Sequence, residues 1–412
     1  MKSKITILII SLLSFAESFA GGFQINEHGA KAMGRGNAFT AVANDPSAIY
    51  FNGAGLTQLE GTNFLFGTTL IAPAASFRGV APEITEYNLE KKVFTPVHFF
   101  GSYRINEDLA VGLGFTTPFG LGTKWDADWV GRYLAVETEL MTFTLSPVIA
   151  YNLLPNLSIS AGFVYSFANV TITQKTPQTP FAGDAFVDLE GDETSAFGYN
   201  FGVLYKPTPK FSVGASFHSE IEYNFEGTAK TTGASQLASK LPNGDVKAKL
   251  TTPLNLAFGV AYQFTDELNI SADFQYIGWK SYDTLKVDFV DPAYDDLASP
   301  RNYQNSWIAR LGGEYKVTNT LTALAGIYYD KMPVEPEYLS PSLPDADRLG
   351  FTLGVDYKLT NSLGIGISYL FIRASELTVD NSKEMYTSGN TPFNGTYNSS
   401  ASLLAVSFSY GF

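Results

Sequence analysis

Large apolar residues recur at every second position in many segments of this chain, yet after the first twenty residues no unbroken apolar run is long enough for a membrane-spanning helix, which needs about 18 residues or more. The C-terminal segment 403–412 shows the pattern most plainly. One face of this segment carries Leu404, Val406, Phe408, Tyr410 and Phe412, and the other carries mostly small or polar residues. The segments 254–264 and 349–359 repeat this alternation. A period of two residues predicts β-strands.

The spacing of turn residues predicts how many strands there are. Six short polar connections lie at 105–108, 152–156, 206–210, 265–267, 318–320 and 360–362. Seven longer connections rich in Pro, Gly, Asp and Ser lie near 73–93, 118–138, 174–190, 224–248, 280–303, 331–347 and 378–397. Six short and seven long connections imply fourteen antiparallel strands.

An even number of strands with short turns at one end and long loops at the other is typical of a bacterial outer-membrane barrel. In hydrocarbon every backbone polar group needs a partner, and a closed barrel provides one. Aromatic residues beside the short turns suit the membrane interface, namely Tyr103, Tyr151, Tyr205, Tyr262, Tyr315 and Tyr357. A soluble secreted β-sandwich or barrel is the alternative. The regular alternation of short and long connections favours an all-β membrane protein. We therefore predict a 14-stranded antiparallel transmembrane β-barrel covering residues 62–412.

Residues 1–20 have the composition of a signal peptide. Lys2 and Lys4 precede an apolar stretch, and a small-x-small site ends at Ala20. Export without any cysteine fits a Gram-negative envelope protein. The formal net charge of −13 argues against nucleic acid as a partner.

Residues 21–61 are too long for a simple lead-in to the first strand. Fourteen strands enclose more space than their own side chains fill, so something must occupy the lumen. The segment combines many Gly and Ala residues, which allow close backbone packing, with apolar side chains such as Phe23, Phe39 and Phe51 that need burial. We therefore predict an N-terminal plug inside the barrel. A disordered periplasmic leader is the alternative.

Three motifs resemble the FadL/TodX family of outer-membrane transporters for long-chain fatty acids and hydrophobic compounds. They are the plug sequence GGFQINEHGAKAMGRGNAFTAVANDPSAIYFNGAGLTQL at 21–59, TTPFGLGTKWDADWVGRYLAVETEL at 116–140 and LPDADRLGFTLGVDYKLTNSLGIGISYLF at 343–371. The resemblance implies a plugged barrel that captures ligand at surface loops, holds it in an apolar pocket and releases it sideways at a kink in the third strand. The positions it assigns to the plug and its gate are Gly21, Gly22, Phe23, Gln24, Asn26, Gly34, Gly36, Asp45, Asn52 and Gly53.

The third strand and the loop after it supply the other expected parts. Pro118, Phe119 and Gly120 interrupt the strand pattern, because Pro cannot donate to a ladder and Gly bends freely. They mark either a lateral opening or only the end of the strand. Trp125, Trp129 and Tyr133 recur every fourth residue, which predicts one face of a short helix. This stripe is either an exposed ligand-capture surface or a face packed onto the barrel rim.

A carboxylate ligand would require cations near its head group. The candidates are Lys286, Arg310 and Arg348, each of which could instead form an internal salt bridge. A neutral hydrocarbon ligand therefore stays open.

Other functions fit less well. The three histidines, His28, His98 and His218, lie near no serine elbow, and no metal-spacing or nucleotide motif is present, so we expect no enzyme, no metal and no cofactor. A general porin needs an open channel, and an energised receptor needs about 22 strands. A loop-mediated adhesin or phage receptor stays open. We expect a monomer that contacts outer-membrane lipid and lipopolysaccharide.

Overall fold

The strands form one antiparallel sheet that closes on itself. The computed structural model describes residues 22–178, 183–233, 241–386 and 391–412, so the predicted signal peptide and Gly21 lie outside it. Closure is visible in the pairing of the first strand with the last, from Asn63↔Gly411 to Gly79↔Gly395. The predicted fourteen-stranded barrel is confirmed.

Several of the fourteen barrel strands are built from two consecutive segments. Their bounds are β1 Thr62–Gly79, β2 Val97–Arg104, β3 Leu109–Thr116 with Gly120–Lys124, β4 Glu137–Leu154, β5 Leu157–Pro177, β6 Asp184–Thr208, β7 Phe211–His218 with Ile221–Thr232, β8 Gly244–Thr252 with Asn255–Gln263, β9 Leu268–Ile277 with Thr284–Phe289, β10 Leu297–Pro300 with Ser306–Lys316, β11 Leu321–Asp330, β12 Arg348–Lys358, β13 Leu363–Ala374 with Leu377–Val379, and β14 Gly395–Gly411. A short strand, Glu86–Asn88, pairs with β1 inside the first long loop.

The long loops are shorter than the sequence pattern predicts. Strands β5 and β6 stay paired as far as Pro177↔Asp184, and β7 and β8 as far as Ala229↔Gly244. The predicted loops 174–190 and 224–248 are therefore largely strand. Beyond the apolar part of the wall, water can solvate both faces of a strand, so backbone pairing continues there without an apolar face to reveal it.

The two faces of each strand carry the side chains that the alternation predicts. In β14, Leu404, Phe408 and Tyr410 are exposed on the outer face, whereas Ala405 and Ser407 are buried on the inner one. The six tyrosines beside the short turns are all exposed. The apolar side chains therefore form a belt on the outer surface.

The N-terminal segment 22–61 packs against the inner face of the wall. It contains two short helices, α1 Ala30–Gly34 and α2 Ala48–Phe51, and a 3₁₀ helix, Gly53–Gln58. In the part of the chain that the structure describes, no helix is long and apolar enough to cross a membrane. Inward-facing hydroxyl groups of five barrel strands donate hydrogen bonds of 2.6–2.9 Å to backbone carbonyls of this segment. The donor and acceptor residues are Thr69 and Glu27, Ser212 and Ala41, Ser271 and Ala38, Thr352 and Gly34, and Ser368 and Ala30.

Candidate functional site

Strand β3 is broken between Thr116 and Gly120, although Phe119 still bonds β4 there, because its carbonyl accepts the Thr142 N–H at 3.2 Å. The N-terminal segment pairs with the broken edge. The N–H of Ile25 donates to the carbonyl of Pro118 at 2.8 Å, and the N–H of Gly120 donates to the carbonyl of Phe23 at 3.0 Å. Because β3 resumes at Gly120, the sequence motif marks an interruption within the strand and not the strand's end.

Gly22 is held at both of its backbone polar groups. Its N–H donates to Asp345 Oδ2 at 3.0 Å, and its carbonyl accepts from Arg348 Nη2 at 2.9 Å. Arg348 and Asp345 also pair with each other at 3.0 Å. Burial raises the pKa of Asp345, and the Arg348 guanidinium opposes that shift. We call Gly22, Asp345 and Arg348 the N-terminal clamp.

The clamp requires glycine at position 22. The residue has φ +72°, and a Cβ there would lie 2.5 Å from the Trp279 ring. Next to it, Phe23 packs edge-on against Trp279, with ring centroids 4.7 Å apart, and against Phe119 at 6.1 Å. Phe23 therefore contacts both the β3 break, through Phe119, and the connection within β9, through Trp279.

A cavity of about 450 Å³, the side cavity, opens beside the β3 break. Its lining is mainly apolar and includes Ile25, Phe119, Leu140, Arg348 and Leu403. It also includes Val97 and Met141, whose side chains are exposed on the outer face of the wall. Residues from both faces therefore line one cavity at the break.

A second cavity of about 530 Å³, the upper cavity, lies toward the long loops. Phe23, Leu121, Leu140 and Leu343 line both the side cavity and the upper cavity, so these residues separate the two. The lining of the upper cavity is mainly apolar but includes polar and charged residues, among them Arg301, Tyr303 and Glu384, which we call the polar corner.

A third and smaller space of about 80 Å³, the lower chamber, lies below the β3 break. Polar residues such as Gln24, Asn26, Asn37, His218 and Arg310 line it together with apolar ones. The Oε1 atom of Gln24 is buried without a hydrogen-bond partner among the described residues. An unpartnered buried oxygen suits a hydrated space, not an apolar ligand.

The remaining plug residues make structural contacts. A Cβ on Gly34 would approach Ser368 Oγ at 2.6 Å, and Gly36 has φ +64°. The Asp45 carboxylate accepts the Ser47 N–H at 2.8 Å and so shapes the turn before α2. Asn52 donates to the carbonyls of Thr40 and Val203 at 2.8 and 2.9 Å, which ties this turn to the wall. Gly53 lies so close to the wall that a Cβ would reach Val148 at 2.7 Å.

The expected aromatic helix is absent. Trp125 and Trp129 lie in turns, both almost fully buried, with their rings stacked 4.2 Å apart at an interplanar angle of 9°. Trp125 Nε1 donates to the carbonyl of Pro341, and Trp129 Nε1 to that of Ala135. Of the two alternatives for Trp125 and Trp129, their burial agrees with packed side chains and not with an exposed surface, because each indole N–H has an internal partner. Tyr133 is separate and lines the upper cavity.

The three basic candidates have different surroundings. Lys286 is exposed, and its neighbour Val287 lines the upper cavity, so strand alternation turns Lys286 away from every cavity described above. Arg310 is buried at the lower chamber, and Arg348 belongs to the clamp. Burial raises the pKa of Glu27, and the positive charges of Arg310 and Arg348 both oppose that shift. The internal salt bridge expected as an alternative is present for Arg348.

Sequence reasoning missed Arg301, which meets Glu384 at 3.5 Å in the polar corner of the upper cavity. Its Nε is buried without a hydrogen-bond partner among the described residues. Tyr303 beside it has a pKa raised well above its usual value by burial, so its hydroxyl stays neutral. No local pattern distinguishes Arg301 from other loop arginines, because Glu384 is 83 residues away.

Comparisons with known proteins agree with this architecture. The family model described as outer membrane protein transport protein (OMPP1/FadL/TodX) matches residues 11–412. The long-chain fatty acid transport protein of Escherichia coli is 24% identical, over 89% of this chain and 91% of its own. The crystal structure of a Pseudomonas aeruginosa FadL homologue superposes with a TM-score of 0.86 at 22% identity, covering 95% of this chain and 100% of the other.

The crystal structure of the toluene transporter TbuX of Ralstonia pickettii superposes with a TM-score of 0.72 at 19% identity, covering 93% and 98%. Structures this distant in sequence support the fold. The match over nearly the whole chain supports the family. This chain therefore belongs to the OMPP1/FadL/TodX family of outer-membrane transport proteins, whose members are transporters or channels and not enzymes.

Proposed function

We propose that this protein carries hydrophobic molecules, long-chain fatty acids or hydrocarbons, from the cell surface into the outer membrane by lateral release at the β3 break. A relative named for long-chain fatty acids and a fold neighbour named for toluene support this substrate range. Ligand enters the upper cavity near Tyr133, passes Phe23 into the side cavity and leaves beside Pro118–Gly120. The loop that holds Trp125 and Trp129 frames the entrance.

The single observation that carries the proposal is the lining of the side cavity. Its apolar interior, at Leu140 and Leu403, continues to Val97 and Met141 on the lipid-facing surface. A ligand in this cavity can reach the bilayer without crossing the lower chamber. An apolar ligand gains about 0.8 kcal/mol for each methylene group that leaves water, so partition alone drives this route.

The N-terminal segment acts in this proposal as the plug and as the inner edge of the gate. Its residues Phe23 and Ile25 supply the backbone partners that the broken β3 lacks. The lower chamber beneath them does not favour an apolar chain, because it measures only about 80 Å³ and contains the unpartnered Gln24 oxygen. Displacement of Phe23 would join the upper and side cavities, because it lines both.

For a carboxylate ligand, the proposed head-group contact is Arg301, which lines the mainly apolar upper cavity. Arg348 also lines the side cavity and offers a second cation along the path. Lys286 is excluded as a contact inside these cavities because it faces outward.

Uptake in a strain that lacks the chromosomal gene tests the proposal. Ala401 lines the side cavity, and Ala401→Trp fills it whereas Ala401→Ser does not. We expect the Trp variant to reduce uptake of labelled fatty acid and of toluene at least tenfold while inserting normally, and the Ser variant to retain uptake. Normal uptake of both ligands by the inserted Trp variant would refute lateral release, and equal uptake with and without the protein would refute transport.

A further inference from the structure

Glu27 is a buried acidic residue beside the side cavity. Only 8% of the residue is exposed, and it lines the cavity together with Arg348. Its Oε2 atom accepts the Asn26 N–H at 3.0 Å, and its Oε1 atom accepts from Asn37 Nδ2 at 3.3 Å. Asn26 and Asn37 both line the lower chamber. Glu27 therefore lies between the mainly apolar side cavity and the chamber that suits water.

The immediate contacts of the Glu27 carboxyl group favour its neutral form. Within the described part of the chain, neither Arg310 nor Arg348 forms an ion pair with it. A buried carboxylate without a paired cation is costly. The Oδ1 atom of Asn37 is also buried, and no described residue bonds it. A half-turn of the Asn37 amide would bring this oxygen to Glu27, and only a protonated carboxyl group can donate to it.

Glu27 can nevertheless release its proton. The other ionisable groups that interact with it electrostatically are Tyr50 of α2, and Tyr328 and Asp330 of β11. None of these carries a positive charge, and His28 is neutral because burial lowers its pKa to about 3. The positive charges of Arg310 and Arg348 favour the carboxylate at a distance. Both forms of Glu27 are therefore accessible, and the neutral form is the resting one.

A fatty acid that leaves sideways must lose its charge before it enters the bilayer. An ionised carboxylate is expensive in hydrocarbon, whereas a neutral carboxylic acid is far less so. When the acyl chain occupies the side cavity, Arg348 is the cation beside which its carboxylate can lie, and Glu27 lines the same cavity. A proton supplied at this point reaches the ligand before it passes the β3 break.

We propose that Glu27 donates its proton to the carboxylate of a fatty acid in the side cavity, so that the ligand leaves as the neutral acid. The O–H bond of Glu27 breaks and an O–H bond forms on the ligand. The Glu27 carboxylate that remains is stabilised by Arg310 and Arg348 until a proton from water in the lower chamber restores the neutral form. This step rests on the proposed lateral route, and a hydrocarbon ligand does not need it.

Glu27→Gln tests the step, because the amide keeps the size of the side chain but has no proton to give. Uptake of labelled hexadecanoic acid and of hexadecanol is measured in a strain that lacks the chromosomal gene. At pH 7 we expect the variant to take up the acid at least tenfold more slowly and the alcohol within about twofold of the unaltered protein. Glu60→Gln is the matched control, because this exposed glutamate of the same segment lines none of the three cavities.

The pH profile provides a readout that a structural role of Glu27 would not change. The neutral fraction of a free fatty acid rises about tenfold for each pH unit below neutrality until its own pKa is reached. Between pH 7 and 6 we expect acid uptake by the Glu27→Gln variant to rise about tenfold, and uptake by the unaltered protein to change less than about threefold.

The outcomes separate this step from the route itself. Equal acid uptake by the Glu27→Gln variant and the unaltered protein would overturn the proton transfer and leave lateral release intact. Loss of both ligands in the variant, or a flat pH profile for its acid uptake, would overturn it as well and assign Glu27 a structural role. Equal uptake of the alcohol with and without the unaltered protein would refute the proposed transport, and the proton transfer with it.

Discussion

Arg348 donates a hydrogen bond of 2.9 Å to the carbonyl of Gly22, which precedes it by 326 residues. The same guanidinium pairs with Asp345, whose carboxylate accepts the Gly22 N–H. The start of the N-terminal segment is therefore held by the loop that ends at β12, on the opposite side of the side cavity from the β3 break. If the break opens as we propose, we expect release of Gly22 to accompany it, because Phe23 and Ile25, which bond the break, lie within three residues of Gly22.

Loss of the clamp should free the N-terminal segment. Arg348→Met removes the donor to Gly22 and leaves the Asp345 carboxylate buried without its cation, which is strongly unfavourable. The chain has no cysteine, so Gln24→Cys gives a single reporter for maleimide labelling. We expect labelling to be at least tenfold faster in the Arg348→Met background, with Lys286→Met as a matched control that changes nothing. Unchanged labelling would show that the clamp is not needed to hold the start of the segment.

Arg301 should discriminate between carboxylate and hydrocarbon ligands. A hydrogen bond to a charged group contributes about 1.5–3 kcal/mol, equivalent to roughly a 10- to 100-fold change in binding. Arg301→Gln is therefore expected to weaken fatty-acid binding to the purified protein by that factor and leave toluene binding within about twofold. Lys286→Gln should affect neither ligand. A parallel loss of both ligands would instead assign Arg301 a structural role with Glu384.

The stacked indoles should stabilise the loops over the barrel. Trp125 is fully buried, and replacing such a ring with alanine costs about 3–5 kcal/mol. We expect Trp125→Ala to make residues 125–135 sensitive to protease while the barrel keeps its resistance to unfolding in detergent. Trp125→Phe retains the stacking but loses the bond to Pro341, so its effect should be smaller. Protection of the loop in the alanine variant would contradict this.

The loop 331–347 should lose stability as pH rises. Burial raises the pKa of Asp347 from its ordinary value of 3.8 to about 7, against the opposing bond from the Met332 N–H. The folded loop therefore holds this proton more tightly than the unfolded one. Stability is full below about pH 4 and falls between pH 4 and 7, by a factor of about ten in the opening equilibrium for each pH unit. Hydrogen exchange of this loop at pH 5 and 6.5, corrected for intrinsic rates, measures the effect.

Asp347→Asn provides the control for that measurement, because an amide does not titrate. Its corrected exchange should depend less on pH than that of the unaltered loop, and the dependence that remains comes from Asp345, whose pKa burial also raises. If the unaltered loop shows the opposite slope, the ion pair of Asp347 with Lys331 at 3.5 Å outweighs burial.

The alternating pattern of the sequence was enough to predict the barrel. Alternation is a local property, and a strand with one face in lipid must repeat it, so segments such as 403–412 reveal their outer face without knowledge of their neighbours. The same holds for the tyrosine ring and for Pro118, whose missing N–H interrupts any ladder. The predicted loop 174–190 was too long, because strand segments outside the membrane need no apolar outer face and so do not show the alternation.

Which side chains meet at the cavities could not be predicted from the sequence, because it depends on the folded arrangement of distant segments. The clamp joins Gly22 to Asp345 and Arg348, and Trp125 bonds Pro341 across 216 residues. Lys286 and Arg301 look alike as loop cations, but one faces outward and the other borders the upper cavity. Such contacts form because the closed barrel brings distant loops and the N-terminal segment together. The periodicity of the sequence does not indicate which residues far apart in the chain will meet.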